Sequence, residues 1–199
     1  MKLPLSFYER TDVVSIAKEL IGKFLFTSIN GKLTGGIITE TEAYKGEIDK
    51  ASHAFGGRRT ARTEIMYGEP GCAYVYLCYG IHSLFNIVTN KKGIPHAILI
   101  RAIYPTVGIE EIIIRRKIKS TKITSLCVGP GTVSLAMGIH YSDSGISLLE
   151  NKIWLEDREF KIPKGMMTSG PRIGVDYAGT DALLPYRFKV THLDISELF

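Results

Sequence analysis

Cysteine is scarce in this sequence, and so are long apolar runs. The 199 residues include only Cys72, Cys78 and Cys127, which are too few and wrongly spaced for a zinc or iron–sulfur site. The chain opens without a signal-peptide pattern, and no apolar run reaches the length of a membrane span. We therefore expect a soluble cytoplasmic protein with no membrane partner, whose three thiols serve in packing.

The sequence also lacks the common motifs of phosphate and metal chemistry. It has no glycine-rich phosphate fingerprint, no helical histidine spacing of the zinc-hydrolase kind, and no regular alternation of strands with helices. A composition of 45% apolar and 23% charged residues excludes disordered and fibrous classes. The net charge of +5 fits a nucleic-acid partner, because phosphate contacts supply most non-specific affinity.

The first half of the chain reads as a helix followed by a hairpin. Thr11 is the expected cap of a helix over residues 12–21, and Gly22 ends it. Residues 23–29 read as a strand, and Asn30-Gly31 is a strong hairpin signal. The returning strand starts at Lys32 and runs into residues 40–44.

The middle of the chain predicts an antiparallel meander with helices after it. The three meander strands cover residues 72–78, 81–89 and 96–104, the last closed by Pro105. A short helix or turn is expected at 60–67, helices at 107–119 and 132–137, and further strands at 153–156, 171–175 and 186–190. The fold class is α+β: a single domain over residues 1–199, with a curved antiparallel β-sheet, surrounding helices and a protruding β-hairpin.

Two acids on one strand are the most informative feature. Alternation places Ile38, Glu40, Glu42 and Tyr44 on one face, where a buried carboxylate needs a partner or a chemical task. His53 and a basic loop, residues 56–59, follow within about twenty residues. The concentration of an acid, an aromatic ring, an imidazole and a basic loop in so short a stretch favours a functional site. Spacing alone does not choose between Glu40 and Glu42.

These residues resemble a known family in both order and spacing. The resemblance is to the 3-methyladenine DNA glycosylases of the mammalian alkyladenine (methylpurine) type, and it runs from about Leu20 to Val190. The motifs that carry it are Glu40-Thr41-Glu42-Ala43-Tyr44, His53, Gly56-Gly57-Arg58, Tyr74-Val75-Tyr76 and Tyr79-Gly80.

The resemblance implies a base-excision enzyme without a cofactor. Its expected partner is double-stranded DNA that contains damaged purines: 3-methyladenine, 7-methylguanine, hypoxanthine or ethenoadenine. Glu42 is implied as the general base that activates water, and Arg101 as the residue that helps hold that water. The family expectation is a monomer, associated with the nucleoid in a bacterium or located in the nucleus of a eukaryote.

The resemblance also implies how DNA would be held. Tyr44, His53 and Tyr76 match the stacking walls around a flipped base, and the backbone N–H of His53 is expected to donate to the base edge. Asn86 matches the floor residue that clashes with the amino group of guanine. The remaining residues match family positions that contact the DNA. Tyr79 matches the intercalating residue, with Ile81 beside it, and Arg58, Thr60 and His82 match positions at the DNA backbone.

Two departures from the mammalian pattern bear on the substrate range. His82 stands where those members have a tyrosine, and the loop of residues 90–95 is longer.

Three other interpretations of the same residues remain open. A glycosylase with lyase activity would use an amine nucleophile, for which Lys45 is the candidate, although alternation points it away from Glu42. A non-catalytic nucleic-acid-binding module fits the basic charge and the interleaved tyrosines. A metal-dependent hydrolase would use Glu40, Glu42 and His53.

Overall fold

An eight-stranded antiparallel sheet with helices around it forms the protein. The structure, a computed structural model, describes residues 1–119 and 122–191. Within them the strands are β1 (Phe24–Ile29), β2 (Lys32–Tyr44), β3 (Ala73–Cys78), β4 (His82–Thr89), β5 (His96–Val107), β6 (Ile153–Glu156), β7 (Met167–Gly170) and β8 (Arg187–Val190). The α-helices are α1 (Leu5–Tyr8), α2 (Val13–Glu19), α3 (Ile109–Arg116) and α4 (Pro130–Met137). Short 3₁₀ turns occupy Gly46–Ile48, Phe55–Gly57, Glu64–Tyr67, Ile123–Ser125, Tyr141–Asp143 and Asp176–Leu183.

Strand β2 is the longest and lies inside the sheet. The strand order is β3-β4-β5-β2-β1-β6, with β8 also paired to β2 and β7 paired to β8. The first half of β2 pairs with β1 through the Asn30-Gly31 turn, where φ is 52° and 72°, as a type I′ hairpin requires. Its second half lies between β5 and β8. The α+β class and the curved antiparallel sheet are confirmed.

Bulges in β2 and β5 set which side chains face the cavity. The β2–β5 register skips Thr39 between Ile38 and Glu40, and it skips Arg101 opposite Glu40 and Thr41. A bulge re-aims the side chains beside it. Ile38 therefore belongs to the main core, whereas Glu40 and Glu42 face the other side. The prediction that Ile38 shares a face with the two acids is wrong.

The main core lies between one face of the sheet and the helices α2, α3 and α4. It is built from buried aliphatic side chains, such as Ile16 and Leu20 of α2 and Ile98 and Ile100 of β5. The Thr41 hydroxyl donates to the carbonyl of Ala17 (2.8 Å), which joins β2 to α2 on this face. No helix among the described residues is long and apolar enough to cross a bilayer.

Three details of the sequence prediction need correction. The cap of α2 is Asp12, not Thr11: its Oδ1 accepts the backbone N–H groups of Val14 and Ser15, as Asp does well at this position. Pro105 does not end β5, because the register skips Thr106 and a proline is tolerated beside such a bulge.

The third correction concerns residues 171–175, which form no strand. The strand lies earlier, at β7, and pairs with β8. Pro171 has no N–H to donate to a ladder. The next two residues use their hydrogen-bonding groups elsewhere, Arg172 on Asp49 and the Ile173 N–H on Glu42.

Candidate active site

A cavity of about 400 Å³ opens on the face of the sheet that carries the two acids. Its volume lies in the range of small-molecule sites. It is bounded by the meander β3–β5, by residues 51–53 and by the segment 173–177. Its polar, aromatic and charged lining includes Tyr44, His53, Arg62, Tyr74, Tyr76, Asn86, Arg101 and Tyr177, and Ile173 lines it as well.

Glu42 lies immediately behind the cavity wall, with no exposed surface. Its Oε2 accepts hydrogen bonds from the Tyr44 hydroxyl (2.8 Å) and from Nη1 of the Arg101 guanidinium (3.2 Å). Its Oε1 accepts the backbone N–H of Ile173 (2.8 Å). A carboxylate accepts about four hydrogen bonds, and these described donors supply three of them. Glu42 is thus held in one orientation with its charge balanced by Arg101.

Glu40 has a different environment from Glu42. It is nearly buried, and its Oε1 accepts from Arg101 Nε (3.2 Å) and from Arg187 of β8 (3.1 Å). Arg101 therefore bridges the two acids, and its position in a bulge explains how one guanidinium reaches both. Glu40 and Glu42, with Arg101 and Arg187, form a group of two negative and two positive charges. Glu40 bonds Nε of Arg101, whereas Glu42 bonds its Nη1, so Glu40 helps to hold Arg101 against Glu42.

Tyr44 has two possible tasks, because it lines the cavity and also touches Glu42. Burial, together with the neighbouring Glu42 carboxylate, raises the pKa of Tyr44 well above its usual value. The phenol therefore stays protonated and donates to Glu42 across the ordinary pH range. Sequence reasoning assigned Tyr44 only to base stacking and missed this hydrogen bond.

Tyr74, His53 and Tyr76 form one continuous aromatic wall. The rings of His53 and Tyr76 meet edge to face, with centroids 4.6 Å apart, and Tyr74 stacks on Tyr76 at 5.5 Å. The Tyr74 hydroxyl lies 2.8 Å from Nδ1 of His53 and so fixes the imidazole. In the sequence, Tyr74 was identified only as part of a motif, and this contact adds a positioning role.

His53 is neutral at physiological pH. Burial, assisted by the charges of Arg62 and Arg58, lowers the pKa of His53 to about 4. The two arginines lie close enough to act on the imidazole, so the basic loop borders the cavity. Arg62 also lies over the Tyr76 ring, 5.8 Å from its centroid. Sequence reasoning missed Arg62, although it stands two residues after Thr60.

Asn86 is buried on strand β4 and lines the cavity. Its Nδ2 donates to the backbone carbonyls of Tyr74 (3.1 Å) and Leu84 (3.2 Å). Both amide hydrogens are therefore committed to the sheet, and the side chain is fixed at the cavity surface rather than free to rotate.

The β3–β4 turn presents exposed side chains beside the cavity. Tyr79 is 91% exposed and Ile81 75% exposed. Tyr79 and Gly80 have φ of 51° and 70°, a backbone that a bulky residue adopts at a cost. His82 is also exposed and packs against Gly131 at the start of α4. Tyr79 is thus a large aromatic side chain that lies in solvent on a strained turn. Such a residue contributes little to packing in the free protein, which favours a role in contact with another molecule.

Arg58 and Thr60 lie on the exposed loop between the 3₁₀ turns at 55–57 and 64–67. The Arg58 carbonyl accepts a hydrogen bond from the Thr63 hydroxyl (3.0 Å). The Thr63 hydroxyl in turn accepts the backbone N–H of Thr60. The loop backbone is thus fixed while the Arg58 side chain remains in solvent. The predicted DNA-binding residues are therefore exposed, and those predicted to hold the base line the cavity.

Two of the alternative interpretations, the lyase that would use Lys45 and the metal-dependent hydrolase that would use Glu40, Glu42 and His53, can be compared with the structure. The Lys45 charge acts on Asp12 and His96, and Lys45 is not among the residues that line the cavity. Within residues 1–119 and 122–191, no three histidine, cysteine, aspartate or glutamate side chains come together in a way that could hold a metal ion.

Comparison with known proteins identifies the family of this chain. Residues 6–193 match the family described as methylpurine-DNA glycosylase. The chain belongs to the methylpurine-DNA glycosylase family. A relative from Bacillus cereus (strain AH187), provisionally named a 3-methyladenine DNA glycosylase, is 44% identical over 195 residues, which cover 94% of this chain and 95% of that protein. A relative from Chlamydia abortus with the same provisional name is 45% identical over 186 residues, covering 94% and 96%.

Membership of the methylpurine-DNA glycosylase family confirms the resemblance drawn from the motifs. It also shows a role as a DNA glycosylase, with DNA as the substrate, so a purely non-catalytic binding module is not the better interpretation. Ile173 and Tyr177 line the cavity but carried no signal in the sequence, because neither belongs to a recognisable motif.

Proposed function

We propose that this glycosylase flips alkylated or deaminated purines out of duplex DNA and hydrolyses the N-glycosidic bond with water activated by Glu42. The proposed substrates are 3-methyladenine, 7-methylguanine, hypoxanthine and ethenoadenine. The observation that carries the proposal is the Glu42 carboxylate, which is buried behind an aromatic cavity and fixed by three donors.

The carboxylate has two tasks in the proposed reaction. Cleavage passes through an oxocarbenium-like sugar, so a nearby negative charge stabilises the transition state. Glu42 also takes a proton from the attacking water, and its Oε1 has room for one more hydrogen bond besides Ile173. Glu42 has no exposed surface, and both Arg101 and Ile173, which bond it, line the cavity where the water and the base would meet.

The cavity walls fit a flipped purine. His53 and Tyr76 meet edge to face on one side of the cavity, and Tyr44 is the candidate for the opposite side. Among the described residues, no acceptor hydrogen-bonds the backbone N–H of His53, which leaves it available to the N or O edge of a damaged base. Asn86, fixed by two backbone carbonyls, disfavours the amino group of guanine. 7-Methylguanine carries the same group, and its proposed excision relies on the positive charge of its ring, which makes it a better leaving group.

We further propose that the enzyme is monofunctional. A lyase needs an amine nucleophile at the sugar, and the candidate Lys45 interacts with Asp12 and His96 instead of lining the cavity.

Excision from defined duplexes tests the proposal. Duplex oligonucleotides that carry hypoxanthine or ethenoadenine are incubated with the protein in the presence of a chelator, and abasic sites are scored by alkaline cleavage. We expect cleavage at the lesion and none in a matched duplex with adenine. Glu42→Gln keeps the shape and removes the base, so lesion binding should survive while excision falls at least about a hundredfold. Wild-type excision by Glu42→Gln would contradict the assignment.

A further inference from the structure

Two segments distant in sequence form adjoining walls of the cavity. Residues 45–55 carry His53, and residues 171–186 carry Ile173 and Tyr177. At their edges they are joined by the Lys50 N–H, which donates to Asp181 (2.9 Å), and by the Tyr177 hydroxyl, which donates to the Ala51 carbonyl (3.2 Å).

The centre of this contact is a buried ion pair between Asp49 and Arg172. Both side chains are almost without exposed surface. The guanidinium donates to both carboxylate oxygens, at 2.5 and 2.8 Å, and to the carbonyl of Ala43 at 2.9 Å. Asp49 also accepts the backbone N–H groups of Lys45 and Ala51. The bidentate geometry fixes the orientation as well as the distance of the two segments.

Arg172 lies next to both neutral groups that donate to Glu42, the Ile173 N–H and the Tyr44 hydroxyl. It directly precedes Ile173, whose N–H donates to Glu42 Oε1. Its guanidinium carbon lies 4.9 Å from the centroid of the Tyr44 ring, and the Tyr44 hydroxyl donates to Glu42 Oε2. Pro171 on the other side of Arg172 accepts from Arg187, so the segment is fixed on both sides of the ion pair.

We propose that Asp49 and Arg172 are positioning residues that aim the Glu42 carboxylate, by holding the Ile173 N–H and the Tyr44 hydroxyl at its two oxygens. The inference rests on the proposed role of Glu42 and adds to it. A pair that merely joined two loops would lower stability when broken and would leave the hydrolytic step unchanged in the folded protein.

Substitutions at the pair separate these two possibilities. Arg172→Gln removes the guanidinium, Asp49→Asn weakens the pair while keeping an acceptor, and the double variant leaves no unpaired buried charge. Arg115→Gln is the matched control, because Arg115 is also a largely buried arginine that bonds an acid (Glu111) and a backbone carbonyl, but it lies outside the cavity lining.

The first measurement is single-turnover excision at saturating enzyme, alongside affinity for the lesion duplex. We expect the rate to fall about ten- to a hundredfold in the Arg172 and Asp49 variants, since misplacing a reacting group costs rate on this scale. Affinity should change less than about threefold, and Arg115→Gln should excise like wild type once folded. In a Glu42→Gln background, Arg172→Gln should cause no further loss of excision rate, because the carboxylate that it positions is already absent. Equal losses in Arg172→Gln and Arg115→Gln would overturn the proposal.

The second measurement does not depend on activity. Amide hydrogen exchange of Ile173, followed by NMR, should speed up at least about tenfold in Arg172→Gln or in the double variant, and should be unchanged in Arg115→Gln. Unchanged protection of Ile173 in the pair variants would overturn the positioning role whatever the excision result. If Glu42→Gln were fully active while Ile173 exchange still responded, the catalytic assignment would fail and the positioning contact would stand.

Discussion

Replacing Tyr79 by alanine distinguishes a residue that acts on DNA from one that supports the fold. The side chain is 91% exposed, so of roughly 200 Å² of tyrosine surface only about 20 Å² is buried. At about 25 cal/mol per Å², its packing contributes about 0.5 kcal/mol to stability. The positive φ of 51° remains strained in the alanine variant. We therefore expect Tyr79→Ala to unfold at nearly the wild-type temperature.

The effect on excision should be much larger and should depend on base pairing. An intercalating ring offsets an unstacking cost of a few kcal/mol. Losing about 2 kcal/mol of this corresponds to a roughly thirtyfold slower single-turnover rate on a hypoxanthine stably paired with cytosine. The same lesion in a mismatch is easier to extrude, so its excision should fall less. Tyr79→Phe keeps the ring and should behave like wild type.

Thermal melting together with excision from the two duplexes checks this reasoning. Tyr8, which is fully buried, serves as the comparison for a core tyrosine, and Tyr8→Ala should cost several kcal/mol of stability. A large drop in melting temperature for Tyr79→Ala, with equal loss on both duplexes, would refute the intercalating role.

Three further predictions follow from the site. Glu40→Gln should reduce excision less than Glu42→Gln, because Glu40 acts through Arg101; the reverse order in single-turnover rates would show that the wrong acid was chosen. Borohydride should trap no covalent adduct with lesion DNA, and an adduct that disappears in Lys45→Met would move the mechanism to the lyase class. The pKa of His53 is lowered to about 4 from 6.5, so the unfolded chain binds the proton first on acidification. Stability should then fall between pH 6.5 and 4, by about 3 kcal/mol for this group, and His53→Gln should show a smaller fall in urea melts; an identical fall would contradict it.

Much of the fold was predictable because the local signals agree with the final structure. Asn30-Gly31 predicted the first hairpin, and the alternating runs on either side of Tyr79-Gly80 predicted β3 and β4. The acids were found because two carboxylates on one strand are unusual. In these regions the backbone conformation depends on the residues themselves.

The rest depends on contacts between distant segments and on bulges, which short-range patterns do not encode. Simple alternation put Ile38 with the acids, and only the extra residue Thr39 in the register reverses this. Residues 171–175 were predicted as a strand from their composition. Their hydrogen bonds go instead to Asp49 and Glu42, more than a hundred residues earlier in the chain.

That separation has a consequence for how the enzyme is made. Glu42 and the Ile173 N–H that holds it are 131 positions apart, and Glu40 and Arg187 are 147 apart. A ribosome adds about 5–20 residues per second, so the acids are synthesised roughly 7 to 30 seconds before these partners. During that interval the hairpin β1–β2 can form, because its contacts are local, but the acids lack the groups that orient them. The emerging chain therefore contains both acids before it can orient them, and a chain truncated before residue 171 would carry both acids without a working site.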